Sequence, residues 1–141
     1  MSGKCFISLP VAWVLDTGAS HHMTSNLAAV NNGYTLSMPI YILQPHGRKI
    51  KVEKAGSVKL GPNIILRDVL YIPTFKCNLI STQKLAIDEN CLVSYEPNFC
   101  IIQDLTSKTL IGVGDPGDEV YYFKNLHKGL VFTATNQADS V

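Results

Sequence analysis

Short apolar runs rich in Val, Ile, Leu and Tyr recur along the chain, broken by turn residues at intervals of roughly ten. Runs this short and this rich in β-branched residues predict strands. They fall at Ala12–Asp16, Pro39–Leu43, Lys49–Leu60, Ile64–Ile72, Cys91–Tyr95, Phe99–Gln103, Thr109–Val113 and Val120–Phe123. Turn chemistry separates them: "QPHG" at 44–47, "LGPN" at 60–63, "EPN" at 96–98, "DLTSK" at 104–108 and "GDPGDE" at 114–119. Gln44 to Gly47 places Pro second and Gly fourth, which suits a type I turn and makes 39–60 a hairpin. Its return strand, "RKIKVEKAGSVKL", begins with polar–apolar alternation, so one face of the hairpin is expected in solvent. One helix is predicted, Ser81–Ile87, capped by Ser81 with Leu85 on its apolar face. "SHHMTSNLAAV" has room for a further helical turn. From about Lys128 to Val141 the period is lost, which predicts a disordered tail or linker. No internal repeat is visible.

The 141 residues fit one domain with a real core. The formal net charge of +1 gives no strong pull toward nucleic acid or acidic partners. No apolar run approaches the ~18 residues of a membrane span. The opening "MSGKCFISLPVA" is too short and too weakly apolar for a secretory signal. The four cysteines, Cys5, Cys77, Cys91 and Cys100, fit no zinc ribbon or redox pair. Reduced thiols packed as small hydrophobes are the simpler expectation, with a Cys91–Cys100 cross-strand disulfide as the alternative. An intracellular setting follows from the first of these.

The stretch "WVLDTGAS", Trp13 to Ser20, departs from the strand pattern. Aspartate is a poor strand residue, yet Asp16 closes an apolar run. At a strand end its carboxylate can enter a cleft while the apolar residues anchor it. Thr17 offers a hydroxyl, Gly18 permits close backbone approach, and Ala19 and Ser20 leave room above the acid. Two such carboxylates sharing a proton make an acid–base pair, because like charges a few ångströms apart cannot both ionise. One Asp-Thr-Gly per chain means that a dyad requires two chains about a two-fold axis. By itself the tripeptide also makes an ordinary turn. Phosphoryl transfer on aspartate would want a second acid or an inserted lysine, and neither is present.

"WVLDTGASHHMT" resembles the start of the protease region of copia-type retrotransposon Gag-Pol polyproteins, usually worded W-h-h-D-[ST]-G-A-[ST]-x-H-M with h apolar. "GRKIKVEKAGSV" at 47–58 and "DVLYIPTFKCNLISTQKL" at 68–85 are similar to later blocks of that family. So are "CIIQDLTSKTLIGVG" at 100–114 and "VYYF" at 120–123. The likeness spans roughly residues 11 to 127, and its wording is nearest to plant elements.

The resemblance implies an all-β, retropepsin-like closed β-barrel with one short helix and extra C-terminal strands. It implies an N-terminal extension at 1–10, the barrel at 11–127, and a tail at 128–141 leading toward an integrase region. The implied activity is aspartic endopeptidase processing of a Gag-Pol polyprotein by a homodimer, in the cytoplasm or within virus-like particles. Asp16 becomes the catalytic acid/base. Thr17 braces the loop across the dimer axis, Gly18 and Ala19 shape the cleft floor, and Ser20 hydrogen-bonds near Asp16. The 39–60 hairpin becomes a substrate-binding flap with Pro45, His46, Gly47 and Arg48 at its tip. Leu79 and Ile80 pack under the catalytic loop, and Ser81 stands where retroviral proteases carry glycine. "CLVSYE", 91–96, follows the helix as the retroviral dimer strand does. The residues from Phe99 onward exceed the retroviral plan. The implied partners are a polyprotein peptide and a second copy of the chain, with no membrane, direct nucleic-acid contact, metal or organic cofactor.

Other residues read more plainly. His21–His22–Met23 lacks further ligands for zinc, so a local structural or surface role is expected. Lys49, Lys51, Lys54 and Lys59 read as a solvated strand face, and Trp13 as a core or edge anchor. A non-catalytic β-barrel of the same ancestry is the competing reading. A nucleic-acid-binding barrel is disfavoured by the charge.

Overall fold

A computed structural model describes residues 12–44, 46–117 and 120–124. The expected extension at 1–10 and tail at 128–141 lie outside these, as does Pro45. Ten strands run β1 Trp13–Asp16, β2 Met23–Thr24, β3 Asn31–Leu43, β4 Lys49–Gly61, β5 Ile64–Tyr71, β6 Asn78–Ser81, β7 Cys91–Tyr95, β8 Cys100–Asp104, β9 Leu110–Pro116 and β10 Tyr121–Lys124. A single helical turn, Leu27–Ala29, follows β2, and the helix α1, Thr82–Asp88, follows β6. No helix among the described residues is long and apolar enough to cross a membrane.

The strands form one sheet in the order β3-β4-β5-β2-β6-β1-β10-β9-β8-β7. Among the described residues that sheet is not closed. β3 and β7 are its two ends, which corrects the expectation of a closed barrel. The extra C-terminal strands account for the arrangement. β7 to β10 form an antiparallel meander whose last strand pairs with β1, Val14 opposite Tyr122 and Leu15 opposite Tyr121. On its other side β1 runs parallel to β6, with Asp16 opposite Ser81. β1 is therefore central and flanked on both edges, and all four of its residues are buried.

Two apolar clusters meet at β1. Trp13 and Leu15 pack with Val58, Leu66, Ile80, Leu85 and Ile102. Val14, one residue out of phase, packs with Met23, Val52, Leu70, Ile72 and Leu79. This is the period of two that sends alternate strand residues to opposite faces. The anchor role expected of Trp13 holds.

The hairpin at 39–60 is present and longer than expected, since β3 begins at Asn31. The Gly47 N–H donates to the Gln44 carbonyl at 2.9 Å and the Gln44 N–H to the Arg48 carbonyl at 2.8 Å. Gly47 has φ +86°. These bonds close the hairpin, with a left-handed glycine leading into β4. α1 is capped as expected, with Ser81 Oγ accepting the Lys84 N–H at 3.1 Å.

Candidate functional site

Asp16 ends β1, and the chain turns sharply there. The Gly18 N–H folds back and donates to Asp16 Oδ1 at 2.8 Å. Such an Asx-type turn fixes the carboxylate relative to its own loop. Asp16 is 6% exposed, whereas Thr17, Gly18 and Ser20 are exposed and Ala19 is buried. Alternation breaks at the turn: Asp16 and Ala19 are buried, and the two residues between them are exposed.

The loop is held from beneath by β6 and α1. Leu79 and Ile80 of β6 are buried, one in each of the two core clusters. The Ser81 hydroxyl donates to the Ala19 carbonyl at 2.7 Å while accepting the Lys84 N–H at 3.1 Å. One side chain therefore ties the loop to the first turn of α1. A glycine at this position could do neither. The Ser81 N–H donates in turn to His22 Nδ1 at 3.0 Å. His22 is fully buried, its carbonyl accepts the Leu70 N–H at 2.9 Å, and its Nε2 has no partner among the described residues. Burial, aided by the nearby Lys84 charge, pushes its pKa down to about 4. His21 instead lies at the surface edge against Ser20 Oγ, 2.8 Å away. Ser20 thus hydrogen-bonds beside the loop, to His21. Just beyond, the Thr24 hydroxyl donates to Asn78 Oδ1 at 2.7 Å, and Asn78 Nδ2 donates to the Ala12 carbonyl at 3.1 Å.

A shallow pocket of about 240 Å³ opens at Asp16, lined by Val14, Leu15, Asp16, Thr17, Tyr95, Val120 and Tyr121. Tyr95 and Tyr121 meet edge to face with centroids 5.3 Å apart. Burial raises the Tyr95 phenol pKa, a hydrogen bond with Thr82 opposes this, and the Asp16 charge adds to the rise. Sequence reasoning did not place Tyr95, Val120 and Tyr121 here. They come from β7 and the β10 region, and no local motif announces that the meander returns to β1. His46, Gly47 and Arg48 are exposed at the hairpin tip and do not line this pocket.

Among the described residues no group of three or more His, Cys, Asp or Glu could hold a metal ion. Cys91 and Cys100 are free and buried, which excludes the disulfide between them. Burial pushes both thiols up to about 11. Cys77 departs from the reduced-thiol expectation: it is disulfide-bonded. Lys49, Lys51, Lys54 and Lys59 are all exposed, and Lys51 lies 3.9 Å from Glu53.

Residues 13–91 match the family described as "Pol polyprotein, beta-barrel domain". The chain belongs to that family. The match runs from Trp13 through the loop, the hairpin and α1 to the first residue of β7, so it contains the whole Asp16–Ser81–His22 arrangement. Over 114 residues the Pol β-barrel chain is 30% identical to the retrovirus-related Pol polyprotein from transposon RE1 of Arabidopsis thaliana. It is 32% identical over the same length to that from transposon RE2 of the same plant. Each match covers 77% of this chain and 8% of the relative, so the chain corresponds to a small part of those polyproteins. The resemblance read from the sequence to a plant retrotransposon Pol region is upheld. No solved structure matches the chain.

Proposed function

We propose that this Pol β-barrel domain is an aspartic endopeptidase that cuts its own polyprotein as a homodimer. The observation that supports it best is the setting of Asp16. A buried carboxylate closes the central strand, is fixed by the Gly18 N–H, and opens on a pocket of about 240 Å³. Exposed Thr17 and Gly18 leave the loop accessible to a second copy. In the dimer, the two Asp16 carboxylates hold a water between them. One accepts its proton as it attacks the scissile carbonyl, and the other protonates the carbonyl oxygen. The β3–β4 hairpin, tipped by residues 45–48, covers the bound peptide and excludes water. A peptide side chain of apolar character fits the wall of Val14, Tyr95, Val120 and Tyr121.

A second reading, a non-catalytic β-barrel domain, is favoured by one observation. The partner of β1 on its second edge is β10 of the same chain, so that edge is not open to another copy. The deciding experiment is cleavage of a Gag-derived peptide library at mildly acidic pH, across a protein dilution series, beside Asp16→Asn. Activity should fall faster than linearly on dilution and drop by more than a thousandfold in the mutant. A folded sample with no cleavage at any concentration would leave the second reading standing.

A further inference from the structure

His22 is the residue whose chemistry the proposed dyad leaves unused. It is fully buried, and its Nε2 has no hydrogen-bond partner among the described residues. The other nitrogen explains the residue. Nδ1 accepts the Ser81 N–H at 3.0 Å, which requires a lone pair on Nδ1 and places the neutral ring's proton on Nε2. Ser81 then reaches in two directions, to the Ala19 carbonyl and to the N-terminus of α1.

We propose that His22 is the positioning residue of the Asp16 loop: as the acceptor for the Ser81 N–H it fixes Ser81, and through Ser81 the Ala19 carbonyl. The inference deepens the protease reading and rests on it for its catalytic consequence only. Leucine or phenylalanine would fill the space but strand the Ser81 N–H. A ring protonated on both nitrogens would also lose the bond, since it has no lone pair to offer. The surroundings oppose that state. Lys84 of α1 and His21 of the same loop disfavour a charge on His22, and Asp88 of α1 and Asp68 of β5 favour it less strongly than burial opposes it. Lys84 is itself bound to Asp88 at 2.7 Å and lies 3.8 Å from Asp68, so the acids are partly neutralised before they reach the ring.

The test is nitrogen-15 NMR on the full chain, with His22→Asn and His22→Leu. Asparagine keeps an acceptor near the place of Nδ1 and cannot be protonated there, whereas leucine removes it. The wild type should show the Nε2–H tautomer and a coupling across the hydrogen bond from the Ser81 amide nitrogen to His22 Nδ1. The Ser81 amide should exchange at least tenfold faster in His22→Leu than in His22→Asn. In the peptide assay kcat should drop at least tenfold in His22→Leu, with KM little changed, and recover to within threefold in His22→Asn. Absence of the coupling in the wild type, which needs no variant to fold, overturns the inference. So does equal Ser81 protection in the two variants. Coupling and stronger Ser81 protection in His22→Asn than in His22→Leu, in a chain that cleaves nothing, leave His22 in this role and overturn the protease reading instead.

Discussion

β1 and β3 are both strands of one sheet, and they are held in opposite ways. β1 has four residues, all buried, with a neighbour on each edge. β3 has thirteen residues, buries one of them, Ile42, and stands at the end of the sheet. It leaves Tyr34, Met38, Tyr41 and Leu43 in solvent. The short strand is fixed by side-chain burial on two faces. The long one is fixed by backbone pairing to β4, by Ile42, and by the close crossing at Gly56, where an added Cβ would lie 2.8 Å from the Asn31 carbonyl oxygen. Free energies of local opening follow burial. The centre that carries Asp16 should therefore open only with the whole domain, and the hairpin should open on its own. A cutting enzyme wants that division: a rigid acid and a cover that moves.

The largest effect should come from removing side chain at the centre. Ile80 is fully buried opposite Leu15 of β1, so Ile80→Ala should cost about 3–4 kcal/mol in urea unfolding. Leu43 is 62% exposed near the hairpin tip, and Leu43→Ala should stay within about 0.5 kcal/mol. Equal costs would break the comparison at once.

Next in size is the pH dependence set by His22. The folded chain keeps the ring neutral down to about pH 4, whereas the unfolded chain takes up the proton near 6.5. The unfolded state thus binds more protons in that window, and stability is lost as pH falls from 6.5 through 4. The contribution is roughly 3 kcal/mol. It should appear as the difference in acid sensitivity between the wild type and His22→Asn. Equal slopes for the two would mean that the ring titrates normally and is not enclosed.

Much of this was legible in the sequence, for local reasons. β1, β4, β5 and β7 follow from apolar runs bounded by turn residues, and α1 from its serine cap. The first half of β3 was not legible. "NNGYTLSM" carries turn-like residues and no alternation, and an exposed edge strand needs none, because pairing to β4 holds it. β2 and β6, of two and four residues, are too short for any period to show. At the site, Asp16, Leu79, Ile80 and Ser81 were legible through their wording. The mate of Ser81 was not: His22 reads as one of two adjacent histidines, and only the tertiary packing separates the fully buried ring from the half-buried one. Tyr95 and Tyr121 reach Asp16 through the meander, a long-range pairing that no short window contains. The closed barrel failed for the same reason: whether the end strands β3 and β7 meet is a long-range question, and among the described residues they do not pair.

The smallest effect tests whether the hairpin moves separately. Gly47 has φ +86°, and a Cβ built there meets nothing within 4 Å. Gly47→Ala therefore adds backbone strain without a clash, about 1 kcal/mol. Strain in the closed turn raises the folded state's energy whichever opening an amide uses to exchange. Hydrogen exchange should then quicken roughly fivefold both near the tip and in β1, from the usual tenfold per 1.4 kcal/mol. The wild type carries the sharper information. Ladder amides between Ile42 and Ile50 should exchange through an opening well below the global free energy, and those of β1 and β6 through global unfolding alone. Tip amides protected as strongly as those of β6 would make the hairpin part of the rigid centre, and a cover that opens only by unfolding could not admit a peptide. No response to Gly47→Ala would mean the opposite, that the turn is already open in the resting chain.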